Sequence, residues 1–187
     1  MKVLIIPEDP TLDRHILKPV VESIFQQIGK PARVDMLEDP HLTGVSQALK
    51  PEMIAGIVLD NPMEDLFLLI VDRDGDNSGH ELAAAQLRRS HPDKLLTCLA
   101  HQEVEVWMIA LHRDKIDTPW REVRSERDPK ERFARPFLEK MGWSGLVGRG
   151  YKRAMRDLAG QWRSLLSVCP EIAGLQQEIA IWVEHHR

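Results

Sequence analysis

The chain has 187 residues, of which 43% are hydrophobic, and a formal net charge of −4. These values are typical of a globular protein with one domain, or one domain and a small helical appendage. No apolar segment is long enough to span a membrane, and the N-terminus lacks the basic region and long apolar core of a signal peptide. We therefore expect a cytoplasmic protein without a membrane partner. The two cysteines, Cys98 and Cys169, have no metal-binding spacing.

The first third of the chain alternates short apolar strands with amphipathic helices. The pattern predicts a strand at residues 2–6, a helix opened by Thr11 or Asp13, a second strand at residues 32–37 and a helix at residues 44–59 in which Pro51 marks a break or a first turn. This alternation is typical of an α/β sheet with mainly parallel strands.

The most informative stretch follows at residues 66–76. Six apolar residues without a polar interruption predict a strand buried on both faces. The run ends at three alternating aspartates, Asp72, Asp74 and Asp76, and Ser78 can cap the helix that follows. Ligands of open α/β sheets bind outside the carboxyl ends of the strands. The aspartates lie at such an end.

The remaining sequence predicts one more buried strand and several helices. Residues 95–100 form the strand and residues 101–112 fit a helix, residues 114–136 are charged and irregular, and two helices close the chain. Trp162 and Trp182 on these last helices are either core residues or a dimer or partner contact.

Crowded carboxylates favour a divalent cation. Two like charges about 4 Å apart repel by roughly 1 kcal/mol in water and about 4 kcal/mol near a protein surface. Glu8 follows the first strand as Asp72 follows the third, so the acids converge if those strands are neighbours. Carboxylate oxygens are suitable ligands for Mg²⁺ or Mn²⁺. The alternative is a solvated acidic turn.

Charge is distributed unevenly along the chain. Residues 1–112 carry 10 basic against 18 acidic residues, whereas residues 113–156 carry 13 against 7. An acidic part followed by a basic segment suits a metal site beside a phosphate-binding surface, although a solvated helix face with mixed salt bridges gives the same composition.

Three segments together resemble the Toprim family. Glu8 after the first strand resembles its first motif, Val71-Asp72-Arg73-Asp74 its second, and residues 102–110 the third motif of small stand-alone Toprim-like proteins related to OLD and RloB-type nucleases. The resemblance implies a Toprim-like α/β domain over residues 1–135 with a C-terminal helical extension over residues 136–187, packed on the same domain.

The resemblance also implies roles for individual residues. Glu8, Asp72 and Asp74 would be metal ligands, with Asp9 as the alternative to Glu8, and Asp76 and Glu105 would be second-metal or outer ligands. Glu105 has the weakest case, because a glutamate on a helix face is usually solvated.

Basic residues after the third motif are candidates for contact with phosphate. Lys130 resembles the family's phosphate-facing basic residue, and Arg132 and Arg135 are further candidates to stabilise the transition state. Each of these three is more often a solvated surface charge.

The resemblance implies a Mg²⁺- or Mn²⁺-dependent nuclease or nuclease subunit that acts on nucleic acid, DNA more than RNA, in defence against phage or foreign DNA. The resemblance also implies a separate ABC- or SMC-type ATPase as a partner, since this chain has no phosphate-binding glycine loop of its own. An oligomer is compatible with the sequence.

Three alternatives remain. One is a Toprim-like module that binds nucleic acid or a partner without cutting. A second is a haloacid-dehalogenase-like phosphatase with Asp72 as nucleophile and Asp74 as acid. The third is a receiver-like signalling domain, in which Asp60 would end the phosphoacceptor strand and Thr97 would be the switch hydroxyl.

Overall fold

The computed structural model describes residues 1–73, 78–145 and 148–186. Its centre is a four-stranded sheet with the order β2-β1-β3-β4, in which every pair of neighbours is parallel. The strands are β1 Lys2–Pro7, β2 Arg33–Met36, β3 Leu66–Asp72 and β4 Leu95–Ala100. The predicted α/β class with a parallel sheet is confirmed.

Helices connect and cover these strands. In the described ranges they are α1 Arg14–Gln27, α2 Val45–Ala48, α3 Pro51–Asp60, α4 Ser78–Ser90, α5 Glu105–Ala110, α6 Trp120–Ser125, α7 Arg135–Lys140, α8 Arg149–Ala154, α9 Leu158–Val168 and α10 Pro170–His185. Short 3₁₀ turns occur at Arg113–Lys115 and Met155–Asp157, and a π-helical segment, Lys130–Ala134, leads into α7.

β3 is buried on both faces, as its uninterrupted apolar run predicts. Successive side chains of a strand point to opposite faces, so Leu66, Leu68 and Ile70 join one core cluster while Phe67, Leu69 and Val71 join the other. The first cluster lies under α1, α5 and the C-terminal helices, and the second lies under α2, α3 and α4. Helices therefore cover both faces of the sheet.

The C-terminal helices share the first cluster with the sheet. Trp162 and Trp182 are only 4% and 7% exposed, and both belong to the cluster that contains Val3 and Ile5 of β1. Of the two alternatives for these tryptophans, the structure favours core residues. The indole of Trp182 also donates to the carbonyl of Asp93 at 3.0 Å, which ties α10 to the turn before β4.

The structure corrects three sequence-based predictions about elements. The helix predicted at residues 44–59 is two helices, and Pro51 occupies the first turn of the second, where a missing N–H costs nothing. The segment 114–136 is not irregular, because burial of Val123 and Phe133 supports α6 and the π-helical segment. The first closing helix is divided into α8 and α9 by the 3₁₀ turn at Met155–Asp157.

Candidate functional site

Glu8 and Asp72 lie side by side at the carboxyl edge of the sheet. β1 pairs directly with β3, with Pro7 opposite Ile70, and each acid follows within two residues of that pair. The backbone N–H of Asp72 donates to Glu8 Oε2 at 3.4 Å. The condition for convergence, that the two strands be neighbours, is met.

The same edge is where the strand order reverses. From β1 the chain moves outward to β2, and after β3 it moves outward to β4 on the other side. In open parallel sheets the crevice at such a switch point, outside the carboxyl ends of the strands, is the usual ligand site. The topology therefore assigns Glu8 and Asp72 to the position where a ligand is expected.

The carboxyl of Asp72 is fixed and strongly perturbed. Its Oδ1 accepts a hydrogen bond of 2.9 Å from the backbone N–H of Val104, just before α5. Burial raises the pKa of Asp72 well above its ordinary value, and the nearby carboxyls of Asp13, Glu105 and Glu8 raise it further. The bond from Val104 opposes this shift without cancelling it.

Asp13 is a site residue that sequence reasoning missed as a functional candidate. The sequence indicates it only as an opener of α1, yet its side chain caps no helical N–H there. Asp13 is instead 5% exposed, and its Oδ2 accepts from the backbone N–H of Asp9 at 3.2 Å. Burial, followed by the charge of Glu105, raises the pKa of Asp13 to about 8. The sequence signal was its place in the loop after β1, five residues beyond Glu8.

Glu105 is buried rather than solvated, contrary to the expectation for a helix-face glutamate. Only 1% of its side chain is exposed, because α5 is covered by core on every side. Its Oε1 lies 2.9 Å from Lys130 Nζ and accepts from the hydroxyl of Tyr151 at 3.2 Å. Tyr151 belongs to α8, so the C-terminal region contributes directly to the site, which the sequence did not indicate.

Lys130 is the one phosphate candidate that the structure brings to the carboxyls. Burial opposes its charged form, but the neighbouring Glu105 carboxylate raises the pKa of Lys130 above its usual range. Its backbone N–H also donates to Glu103 Oε2 at 2.8 Å.

The two other phosphate candidates lie elsewhere. Arg132 pairs with Glu126, and Arg135 pairs with Glu131 at 2.8 Å, both with largely exposed guanidinium side chains. The structure does not bring either of them into the carboxyl cluster.

Asp9 has a structural role in the turn after β1. Its Oδ1 accepts from the backbone N–H of Thr11 at 2.7 Å, as in an aspartate-stabilised turn. The contact of Glu8 with the end of β3 favours Glu8 over Asp9 as the acid that meets Asp72.

Two predicted ligands, Asp74 and Asp76, lie outside the described residues. Within the ranges that the structure does describe, no group of three or more histidine, cysteine or acidic side chains is placed to hold a metal ion. The chemistry of the pair that meets there, Glu8 and Asp72, suits a hard divalent cation, because both supply carboxylate oxygens at one edge. Lys130 supplies positive charge close to Asp13 and Glu105.

The receiver-like alternative placed Asp60 at the end of a strand. The structure contradicts that placement, because Asp60 is the last residue of α3 and is exposed. Thr97 lies within β4 and pairs in register with Leu69, so it is not at the carboxyl edge. The phosphoacceptor assignment is therefore wrong.

The fold and the site together define a class: an open parallel α/β protein with buried carboxyls at its switch point.

No protein-family model, no curated protein and no solved structure matches the chain. Across the described parts of the chain, every helix is too short or too polar to cross a bilayer.

Proposed function

We propose that this protein is a metal-dependent nuclease or nuclease subunit with a Toprim-like α/β domain, acting on nucleic acid with Mg²⁺ or Mn²⁺. The observation that carries the proposal is the meeting of Glu8 and Asp72 at the switch point, with Asp13 and Glu105 inside the same electrostatic environment. A separate ABC- or SMC-type ATPase, in defence against phage or foreign DNA, is the partner that the Toprim resemblance adds.

The raised pKa values of Asp13 and Asp72 support a cation. Burial, and then the neighbouring carboxyls, raise the pKa of both groups and so disfavour their ionised forms in the metal-free site. A bound divalent ion removes that cost, since it favours the ionised form of each carboxyl. Glu8 and Asp72 are the described residues that would hold it, with Asp74 as the further ligand predicted from the sequence.

A metal in this position would neutralise charge on a phosphodiester and generate hydroxide near neutral pH. The protein's own residues would position the substrate. Lys130 is the cation that would contact a phosphate oxygen, and Glu105, held by Tyr151, orients the Lys130 ammonium. The backbone N–H of Val104 holds the Asp72 carboxyl at one angle.

The test is cleavage of labelled plasmid, linear DNA and RNA with Mg²⁺, Mn²⁺ or EDTA, comparing wild type with Asp72→Asn. The asparagine oxygen can still accept from Val104, so the substitution removes charge without removing this contact. We expect metal-dependent cutting in wild type and a loss of at least about 100-fold in the variant, since both ion binding and phosphate activation depend on the charge.

The matched control is Asp60→Asn, which removes an exposed carboxyl at the end of α3. It should cut as wild type does. Cutting that survives in Asp72→Asn would contradict the proposal. So would a wild-type protein that neither cuts nor gains thermal stability from either metal.

The phosphatase alternative places Asp72 at the same edge, where a phosphoryl group could be transferred to its carboxylate. The position of Asp72 at the end of β3, beside the switch point, favours this second candidate over the receiver-like one. Hydrolysis of a small aryl phosphate distinguishes the phosphatase from the proposed nuclease. A phosphatase releases phosphate from this substrate and leaves nucleic acid intact, whereas the nuclease cuts nucleic acid and leaves the aryl phosphate intact.

A further inference from the structure

A cavity of about 480 Å³ lies next to the carboxyl cluster and has no role in the site described above. It is formed between the turn that precedes α1, the end of α7 and the start of α8. The lining includes Asp9, Leu12, Trp143, Ser144, Gly148 and Tyr151. Two of these residues touch the cluster directly, since Asp9 donates its N–H to Asp13 and Tyr151 donates its hydroxyl to Glu105.

The cavity has the composition of a pocket for a flat ring. Trp143 and Tyr151 provide aromatic surface, while Asp9 and Ser144 provide polar groups that can fix an orientation. The Trp143 ring is held by edge-to-face contacts with His112 and Phe137, at centroid distances of 6.0 and 5.8 Å. His112 in turn is 2% exposed and lies 2.9 Å through Nε2 from the carbonyl oxygen of Ala154. The packing of Trp143 against His112 and Phe137 therefore fixes the position of its indole ring.

Two glycines that line the cavity allow the backbone there to approach neighbouring residues closely. A Cβ at Gly150 would lie 2.6 Å from the carbonyl oxygen of Trp143, and one at Gly148 would lie 2.1 Å from His15 Nε2. Gly148 also has φ of +75°, which disfavours any other residue. The backbone at Gly148 is thus packed tightly against α1, and the backbone at Gly150 against the residues that follow α7.

The helix that supplies Gly150 and Tyr151 to the cavity also carries exposed cations. Arg149, Lys152, Arg153 and Arg156 are exposed on α8 and the turn after it, and residues 148–156 contain no acid. Lys152 also lines a second groove of about 470 Å³ together with Arg14, His15 and Lys18.

The exposed cations of α8 can attract an anion. In the second groove Arg14 and Lys18 pair with Glu38 and Glu22, which reduces their contribution. A ligand with flat rings would suit the aromatic lining of the cavity, and a ligand with several negative charges would suit the cations of α8. A polyanion that carries flat rings combines both features.

We propose that this cavity binds an unpaired nucleobase of a nucleic-acid strand whose backbone follows α8 and whose adjacent phosphate reaches the carboxyl cluster. The proposal rests on the proposed function for the identity of the strand. A paired base inside a duplex cannot enter such a cavity without leaving its stack, so the geometry selects single strands or frayed ends.

The test measures binding without metal, by fluorescence anisotropy in EDTA. The probes are a labelled single strand of about 12 nucleotides and a strand of the same length whose bases are all replaced by abasic tetrahydrofuran units. Both probes carry the same phosphate charge, so the ratio of their affinities isolates the bases. We expect wild type to bind the normal strand roughly ten-fold more tightly than the abasic strand, and more tightly than a duplex.

Ser144→Leu fills the cavity from an exposed position and should abolish this preference, while binding of the abasic strand stays unchanged. Ser144→Ala is the matched control and should keep the preference. Trp143→Ala should also lose it, whereas Trp120→Ala, a half-buried tryptophan that does not line this cavity, should keep it. A charge-reversal variant, Lys152→Glu, should weaken both probes to the same extent.

Equal affinity of wild type for both probes overturns the proposal, and so does a preference that survives in both Ser144→Leu and Trp143→Ala. These failures are separable from failure of the nuclease centre. If the preference is absent but Asp72→Asn still loses cutting, the cavity assignment is wrong and the centre stands. If the preference is present but Asp72→Asn cuts normally, the centre is wrong and the base pocket stands.

Discussion

Two clusters of buried charge among the described residues differ in how their charges are compensated. At the carboxyl edge, Asp72 interacts electrostatically with Glu8, Asp13 and Glu105. Lys130 interacts with Asp13 and Glu105 of this set. In the second cluster, Glu171 in the first turn of α10 is bound bidentately by Arg124 of α6, at 2.6 and 3.0 Å. We call this second cluster the Arg124–Glu171 clasp.

The pKa directions follow from this difference in balance. Burial alone would raise the pKa of Glu171, but the two bonds from Arg124, with a third from the indole of Trp107 at 2.9 Å, lower it below its usual range. Burial raises the pKa of Asp13 and Asp72, and their neighbours raise it further. The folded chain therefore favours the ionised form of Glu171, whereas it disfavours the ionised forms of Asp13 and Asp72, which a bound cation would favour.

Removing one member of the clasp should have the largest effect on stability. Arg124→Ala leaves the Glu171 carboxylate buried and without its bidentate partner, and we expect the free energy of unfolding at pH 7 to fall by about 3 kcal/mol. Urea denaturation measures this. The control is Arg132→Ala, whose pair with Glu126 involves a largely exposed arginine and should cost less than about 1 kcal/mol.

The same variant has a defined pH dependence. Because the pKa of Glu171 is lower in the folded state than its ordinary 4.5, the clasp contributes stability above that value and loses it as the pH falls toward the folded pKa. The penalty of Arg124→Ala should therefore shrink at about pH 3, where the carboxyl is neutral in the unfolded chain. An equal penalty at both pH values would contradict the assignment of charge to Glu171.

A divalent cation should raise the stability of the protein by binding the acids at the carboxyl edge, and this gain should not depend on the Arg124–Glu171 clasp. At a Mn²⁺ concentration of about 100 times the dissociation constant, wild type should gain about 2.7 kcal/mol, or roughly 5–10 °C in melting temperature. Asp72→Asn should lose that gain, and Arg124→Ala should keep it despite its lower starting stability. Differential scanning fluorimetry with Mn²⁺ and with EDTA measures both. A gain that persists in Asp72→Asn would show that the ion binds elsewhere.

The sequence could predict the acids at the carboxyl edge, because their position follows from short apolar strands and the residues directly after them. Carboxyl ends of parallel strands share an edge, so the positions of Glu8 and Asp72 after β1 and β3 predicted where both acids lie. That β1 and β3 are neighbours, the condition for the acids to meet, came from the structure. β3 and β4 were also recognisable, since β3 is an uninterrupted apolar run and Thr97 is the one polar residue of β4.

The other region depends on distant packing. Arg124 and Glu171 are 47 positions apart, and their pairing is decided by how α10 packs against the sheet, which no short pattern encodes. Tyr151 reaches Glu105 across 46 positions for the same reason. The burial of Glu105 escaped sequence reasoning because α5 is covered on all sides, so the usual rule of a solvated polar face did not apply.

An effect of the opposite sign, a gain in stability, is expected from a substitution among the acids at the carboxyl edge. The folded pKa of Asp13 is about 8 against an ordinary 3.8, so the stability that its proton contributes is complete below about pH 4 and is lost as the pH rises through 8. The Asp13→Asn variant has no such proton to lose. In EDTA at about pH 8.5 the variant should be more stable than wild type by more than about 1 kcal/mol, the equivalent of roughly one pKa unit.

This gain should disappear near pH 4, where Asp13 is largely protonated in the folded wild type, and urea denaturation across the range measures it. Asp60→Asn, at an exposed acid of α3, should change stability little at any pH. A gain that is the same at all pH values would mean that the Asp13→Asn substitution improves packing rather than removing repulsion. Because Mn²⁺ would relieve the same repulsion in wild type, the advantage of Asp13→Asn should also narrow when the metal is added.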